Sequence, residues 1–370
     1  MRIRLRNALA VLLIPLESAA QTRKPEEAAS IGEALTEGTP SVGLRYRYEM
    51  VEDEAYEKNA YASTLRTVLG YRTLPYRGLS VFLQAQNVAA VGNDLFDNRG
   101  AGDLWNGISD RPAVIDPSQT RMQQAYLRFD AFDTTFDAGR REIAYGDHRF
   151  VGDVNWRQNH QTFDAVVLSN RSVPKTTLSY TYAAKVIRID GGTKDMSSHF
   201  ANALIVIDPA LSLELFSYLL DYDEPEDAPL SSQSYGGKLA FSRTLRGKNR
   251  LLFEAQYAKQ FDFGANPEER NADYLHLLGG AEISGKVTVK VGRELLGGSA
   301  ANGAFQTPLA TLFKFNGWAD KFLTTPADGL VDWYVSGEGK FGFAGWIAVY
   351  HDFRADAGSD PYGSELDLRA

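Results

Sequence analysis

Arginine and lysine side chains recur on alternate positions of several segments, and guanidinium groups spaced in this way can form a wall that attracts carboxylates. In Gly43–Met50, Arg45, Arg47 and Glu49 share one face while Leu44, Tyr46, Tyr48 and Met50 share the other. Similar alternation puts Arg66, Arg128, Arg141, Lys185, Lys238 and Lys290 on the polar face of later segments. Asp130, Asp164, Glu214, Glu254, Glu365 and Asp367 join them there. The two signs nearly balance, but Arg45, Arg47, Arg66 and Arg128 concentrate in the first four such segments. That cluster can line a passage for anions, or it can pair with Glu49 and Asp130 and fill an enclosed space. Both readings stay open at this point.

No comparable constellation supports catalysis. The five histidines, His148, His160, His199, His276 and His351, form no metal-ligand pair at helical spacing and no HExxH. There is no Gly-x-Ser-x-Gly elbow and no phosphate-cradling glycine loop ahead of a helix. His276 falls within a strand-like segment, where a lone histidine is usually structural. The reading is therefore a non-enzyme with no catalytic residue, no metal and no cofactor.

The elements that carry these side chains follow a period of two, not the 3.6 of a helix. Leu79–Gln86, Thr177–Tyr182, Leu211–Leu215 and Val287–Val291 all alternate. Strands are expected near 41–51, 60–72, 79–89, 121–130, 134–143, 161–168, 176–187, 198–207, 211–221, 234–244, 250–260, 272–283, 287–294, 330–337, 343–353 and 362–370. That is about 16, within a range of about 16–18. Their connections alternate between short turns, such as Phe132-Asp133 and Ser284–Lys286, and long loops, such as Val91–Thr120 and Leu295–Gly329. Short turns on one side and long loops on the other predict an all-β fold, a transmembrane antiparallel up-and-down barrel over residues 41–370, with its short side periplasmic. Tyr61 and Tyr71 share a face with Leu65 and Leu69. Ten residues at about 3.3 Å, tilted by about 40°, give a height of about 25 Å, the apolar band between two aromatic girdles. A soluble sandwich would alternate too, but has no reason for polar groups on the enclosed face of nearly every strand.

Composition agrees. A net charge of −8 argues against a nucleic-acid partner, and the absence of cysteine excludes disulfides as a source of stability. The slightly polar mean hydropathy fits a barrel, where only alternate residues face lipid. Arg2, Arg4 and Arg6, the apolar run Ala8–Leu16 and Ser18-Ala19-Ala20 read as an export signal over residues 1–20. Residues 21–40 are then a periplasmic segment. The loop Val91–Thr120 is long enough to be functional. It is expected to narrow the pore mouth, with Asp94, Arg99 and Trp105 as its constriction residues and Trp105 packed on the wall. The acidic loops Glu52–Glu54 and Asp221–Asp227 suit a solvated surface better than a cation bridge to lipopolysaccharide, since neither has the spacing of a calcium loop.

Two stretches, Gly139–Ala165 with its Asn155-Trp156-Arg157 and Phe305–Pro326 with its Phe315-Asn316-Gly317-Trp318, resemble the alginate export family of outer-membrane porins. The likeness runs from Ser41 to Ala370 and includes Tyr350–Asp356 and Tyr362–Leu368. It implies a barrel lined by arginines, narrowed by loops, passing an acidic polysaccharide outward. Arg128, the pair Arg140-Arg141, and Asp164 are the positions that match the family's pore residues, and Val91–Thr120 sits where its constricting loop would lie. The best-known members have about 18 strands, more than the count read here. Uptake of small anions or carboxylates is the alternative substrate reading, and a structural or adhesive surface barrel the alternative of another class. Expected partners are outer-membrane lipid, lipopolysaccharide, the anionic solute, and periplasmic export or uptake proteins around a monomer. A spanning strand needs about 9–11 residues, and Tyr362–Ala370 barely supplies them, so the natural chain is expected to continue beyond Ala370.

Overall fold

The computed structural model describes residues 8–12 and 27–370 apart from Asn93, Arg246 and Phe343. Sixteen long strands follow one another as an antiparallel meander. They are β1 (Thr39–Val51), β2 (Ala60–Arg72), β3 (Leu79–Ala90), β4 (Gln119–Ala131), β5 (Thr134–Arg141), β6 (Thr162–Asn170), β7 (Thr176–Ile187) and β8 (Thr193–Asp208). The second half comprises β9 (Leu211–Leu220), β10 (Ser232–Thr244), β11 (Arg250–Asp262), β12 (Asn271–Ile283), β13 (Val287–Leu296), β14 (Leu330–Phe341), β15 (Ala344–Arg354) and β16 (Pro361–Arg369). The strand count read from periodicity is the observed one, because alternation and turn chemistry mark each hairpin. At Phe132-Asp133 both central residues have positive φ, 51° and 55°, as a type I′ hairpin requires. Ser284-Gly285 repeats the pattern with 56° and 67°.

The outward face carries Leu69, Leu127, Phe129, Tyr257, Val291 and Tyr350, all large, apolar and exposed, as a lipid-facing surface must be. A short helix, α1 (Ile31–Thr36), starts where Ser30 Oγ accepts the Glu33 amide at 3.1 Å, while the Glu33 carboxylate accepts from Ala29 at 2.7 Å. It docks against the β2–β3 turn: the Leu74 amide donates to the Ala34 carbonyl at 3.1 Å and the Tyr71 hydroxyl to Leu35 at 2.6 Å. Most of the expected export signal lies outside the described residues. The backbone of Ala8–Leu12 runs antiparallel along β1, Ala8 opposite Met50 and Leu12 opposite Tyr46. Among the described residues the cylinder is not closed, since β16 has a register with β15 and none with β1.

The lumen is not an open pipe. Two connections fold inward, residues 142–161 between β5 and β6 and residues 297–329 between β13 and β14. Phe150, Phe305 and Leu309 from these segments pack on Phe163, Phe200, Phe216, Tyr218 and Tyr274 of the wall. Phe150 lies 4.9 Å from Phe216 and 5.1 Å from Tyr274, centroid to centroid. The inward positions of β6–β12 are thus partly aromatic, and that apolar face holds the inward segments by burial, at about 25 cal/mol per Å² removed from water.

Candidate functional site

Seven arginines point inward from β1–β5. Arg45 donates to the carbonyls of Asn155 (2.9 Å), Trp156 (2.7 Å) and Arg157 (3.2 Å). Arg47 is buried against Glu49 at 2.5 Å and Asp116 at 3.5 Å. Arg66 donates to Gln86 at 2.8 Å and lies 3.5 Å from His160 Nδ1. Arg72 reaches the Tyr126 hydroxyl at 3.2 Å, and Arg121 reaches Gln123 at 2.9 Å and the carbonyls of Arg188 and His160. Arg128 grips Asp137 with two bonds, 2.7 and 2.9 Å, and Arg141 shares the same carboxylate. Among the described residues Arg45, Arg66, Arg72 and Arg121 have no carboxylate within ion-pair distance, so this wall carries a net positive charge.

The segment 142–161 presses against that wall. Arg157 is buried between Glu49 (3.2 Å) and Asp320 (3.3 Å). The Gln158 side-chain amide donates to the carbonyls of Arg45 (3.2 Å) and Thr64 (3.0 Å), and that of Asn159 to Pro117 at 2.8 Å. His160 Nδ1 lies 2.9 Å from Glu142. Burial pushes the His160 imidazole below its ordinary pKa, with Arg66 adding to the effect against the pull of Glu142. Burial also pushes Asp320 up to about 6, despite Arg157 beside it.

The far wall is acidic. Glu214, Glu254, Glu294, Asp332, Glu338, Glu365 and Asp367 face inward from β9–β16, with Lys238 on Asp147 (3.0 Å) and Glu254 (2.8 Å), and Lys290 on Glu338 (2.9 Å). Segment 297–329 is fastened there. The Asn316 amide donates to Glu294 at 2.7 Å, and the main-chain amides of Trp318 and Ala319 donate to Asp367 (3.3 Å) and Glu365 (2.8 Å). Arg149 joins the two inward segments to this wall, bonded to Glu294 at 2.6 Å and Asn316 at 3.0 Å. His351 bridges Asp332 (2.9 Å) and Asp367 (3.5 Å).

Between these walls lie two cavities. The one on the long-loop side, about 580 Å³, is lined by Glu49, Pro112, Arg157, Arg188, Asp320 and their neighbours. The one on the short-turn side, about 1240 Å³, is lined by Arg45, Asn155, Lys286, Lys314, Glu338 and Lys340 among others. A basic wall facing an acidic one across a divided lumen can orient a charged, polar solute.

The profile of the family described as "Alginate export" matches residues 41–280. The chain belongs to that family. Its fold is shared with solved structures: the outer membrane protein opdK of Pseudomonas aeruginosa superposes with a TM-score of 0.66 at 16% identity, over 90% of this chain and 86% of that one. OccAB1 of Acinetobacter baumannii gives 0.65 at 11% identity, over 93% and 87%. A search of curated proteins finds no match. This alginate export family barrel is an outer-membrane porin.

Of the residues expected in its lumen, Arg45, Arg47, Glu49, Arg66, Arg128, Asp130, Arg141, Lys238 and Lys290 face inward. Asp130 accepts from Thr135 at 2.6 Å near the Phe132 turn. Asp164 does not face inward. It shares the outer face of β6 with exposed Val166 and Leu168, because Phe163, Ala165 and Val167 take the inner one. It pairs there with Arg140 at 2.7 Å. Lys185 is outward as well: a bulge at Ala184 shifts the register, and Lys185 meets Asp195 at 2.8 Å. Polarity was a poor guide at both positions, since paired charges occupy the outer surface.

The constriction also differs from the expected one. Asp94 binds Asn106 (3.1 Å), while Arg99 (2.8 Å) and Trp105 (3.2 Å) bind Asp97, all within the loop Val91–Thr120. Trp105 is half exposed, and none of the three lines either cavity. Other parts of this loop do reach inward: Phe96 and Val114 bury against Ala60 and Ala62, Pro112, Ala113 and Ile115 line the long-loop-side cavity, and Asp116 meets Arg47. The lumen is narrowed by 142–161 and 297–329, with residues 112–116 of this loop beside them on the long-loop side. Arg72 and Arg121 were missed by sequence. Arg72 keeps the parity of Arg66 and was legible; Arg121 was hidden by a bulge at Gln123.

Proposed function

We propose that this outer-membrane channel passes saccharides that bear carboxylates, uronate oligomers in particular. The observation that carries the reading is the group Arg45, Arg66, Arg72 and Arg121, four inward guanidinium groups on one wall without a carboxylate partner among the described residues. Guanidinium offers two parallel donors to a carboxylate, and the polar far wall supplies acceptors for hydroxyl groups. The family's description favours export. Uptake of small carboxylates is the second reading, and the division of the lumen into two cavities favours it, since a polymer needs a continuous path. The barrel is proposed to stand as a monomer among lipid and lipopolysaccharide, with the outward pairs Arg140–Asp164 and Lys185–Asp195 at the headgroup level. Removal of residues 1–20 on export would clear Ala8–Leu12 from the β1 edge and leave it to β16. Liposome swelling tests the substrate class. Vesicles holding the protein should admit galacturonate and its short oligomers faster than neutral sugars of equal size. Equal rates for charged and neutral sugars would refute the proposal, and admission of the monomer alone would favour the second reading.

A further inference from the structure

The two cavities are lined by different residues except at two positions, Trp156 and Phe313, which border both. Their rings lie face to face, with centroids 3.5 Å apart and planes 6° from parallel. Trp318 extends the stack beyond Phe313 at 5.6 Å. The two rings come from different inward segments. Trp156 is tied to the basic wall: its carbonyl accepts from Arg45 (2.7 Å) and Arg47 (3.0 Å), and the Arg47 guanidinium lies 4.4 Å from its ring centroid. Phe313 sits on the turn Leu312–Lys314, just past the point where the segments are joined by Thr311 donating to His148 at 3.0 Å. Neither ring belongs to the buried apolar cluster of the lumen. Both border the two cavities, stacked between Arg47 on the Trp156 side and Trp318 on the Phe313 side.

We propose that the Trp156–Phe313 stack is the saccharide subsite of the channel, closed on itself when empty. A passing pyranose parts the rings and lays its C–H face on them, because the ring face is the negative part of the aromatic quadrupole and those hydrogens are weakly positive. Its carboxylate meets Arg45, which borders the inner cavity beside Trp156 and has no carboxylate partner. Apolar rings in contact also exclude water, so the empty subsite limits ion flow. The proposal rests on the reading of the lumen as a saccharide channel and names the place where the sugar is held.

Single-channel recording in planar bilayers tests it, with trigalacturonate as the blocking probe and maltotriose as the uncharged control. Phe313→Ala should raise the open conductance at least about twofold and shorten trigalacturonate blockades. Phe313→Leu, which keeps apolar bulk without a ring face, should shorten the blockades too, and Phe313→Tyr should restore them. Blockades as long as wild type in both the alanine and leucine variants, or an unchanged conductance in the alanine variant, would overturn the subsite. A wild-type protein that conducts no ions at all would defeat the channel reading instead.

Discussion

At the scale of single residues, the lumen is governed by which charges have partners. Arg149 and Glu294 are both buried and bonded to each other at 2.6 Å. Such a pair adds little net stability when intact, but losing one partner strands a charge at a cost of roughly 3–5 kcal/mol, which pins both inward segments at that end. Arg157 is held differently, between Glu49 and an Asp320 that burial pushes up to about 6. Above that pH Asp320 is charged and offsets Arg157. Below it Asp320 is neutral, and the cluster of Arg45, Arg47 and Arg157 gains one net positive charge. Preference for anions should therefore rise as pH falls from about 7 to about 5. In Asp320→Asn it should stay at the higher value throughout that range. Reversal potentials at both pH values check this, and a wild type that is flat between them would contradict the assignment.

At the scale of elements, the strands were legible and the loops were not. A hairpin writes itself into sequence through alternation and turn residues, as Phe132-Asp133 and Ser284-Gly285 do, so strand number and the inward parity of Arg45, Arg66 and Lys290 could be read directly. A loop's length says nothing of its direction. Val91–Thr120 was expected to close the pore because it is long, yet Asp97, Asn98 and Asn106 knit its body together, with Asn98 donating to Leu104 at 2.9 Å and Asn106 to Phe96 at 2.7 Å. Segments 142–161 and 297–329 fold deeper into the lumen, because they meet aromatic positions on β6–β12 that alternation alone assigned no role. Deleting residues 99–107 should consequently leave the conductance near wild type, while shortening 308–322 should raise it severalfold. Single-channel recordings of the two deletions decide the matter, and the opposite order would restore the long extracellular loop as the constriction. Approach of Trp156 to Phe313 lies beyond sequence reasoning of this kind, since no periodicity links residues so far apart on two separate loops.

At the scale of the whole molecule, β1–β5 form a basic wall and β9–β16 an acidic one, with the inward segments bolted to each. Lumen charges act at short range and in confined water, where fixed charges bias the passing ion more than they would at an open surface. The arginines without carboxylate partners among the described residues leave the near wall net positive, while on the far side Lys238, Lys290 and Arg149 offset Glu254, Glu338 and Glu294. The central claim is that this wall selects anions that carry carboxylates. The zero-current potential of the reconstituted protein across a bilayer with a salt gradient, before and after replacing Arg45, Arg66 and Arg128 with glutamine, tests it most directly. The wild type should show an anion-selective potential and the triple variant a shift toward cations, one fixed positive charge having been lost at each position. Identical potentials in the two proteins would contradict it.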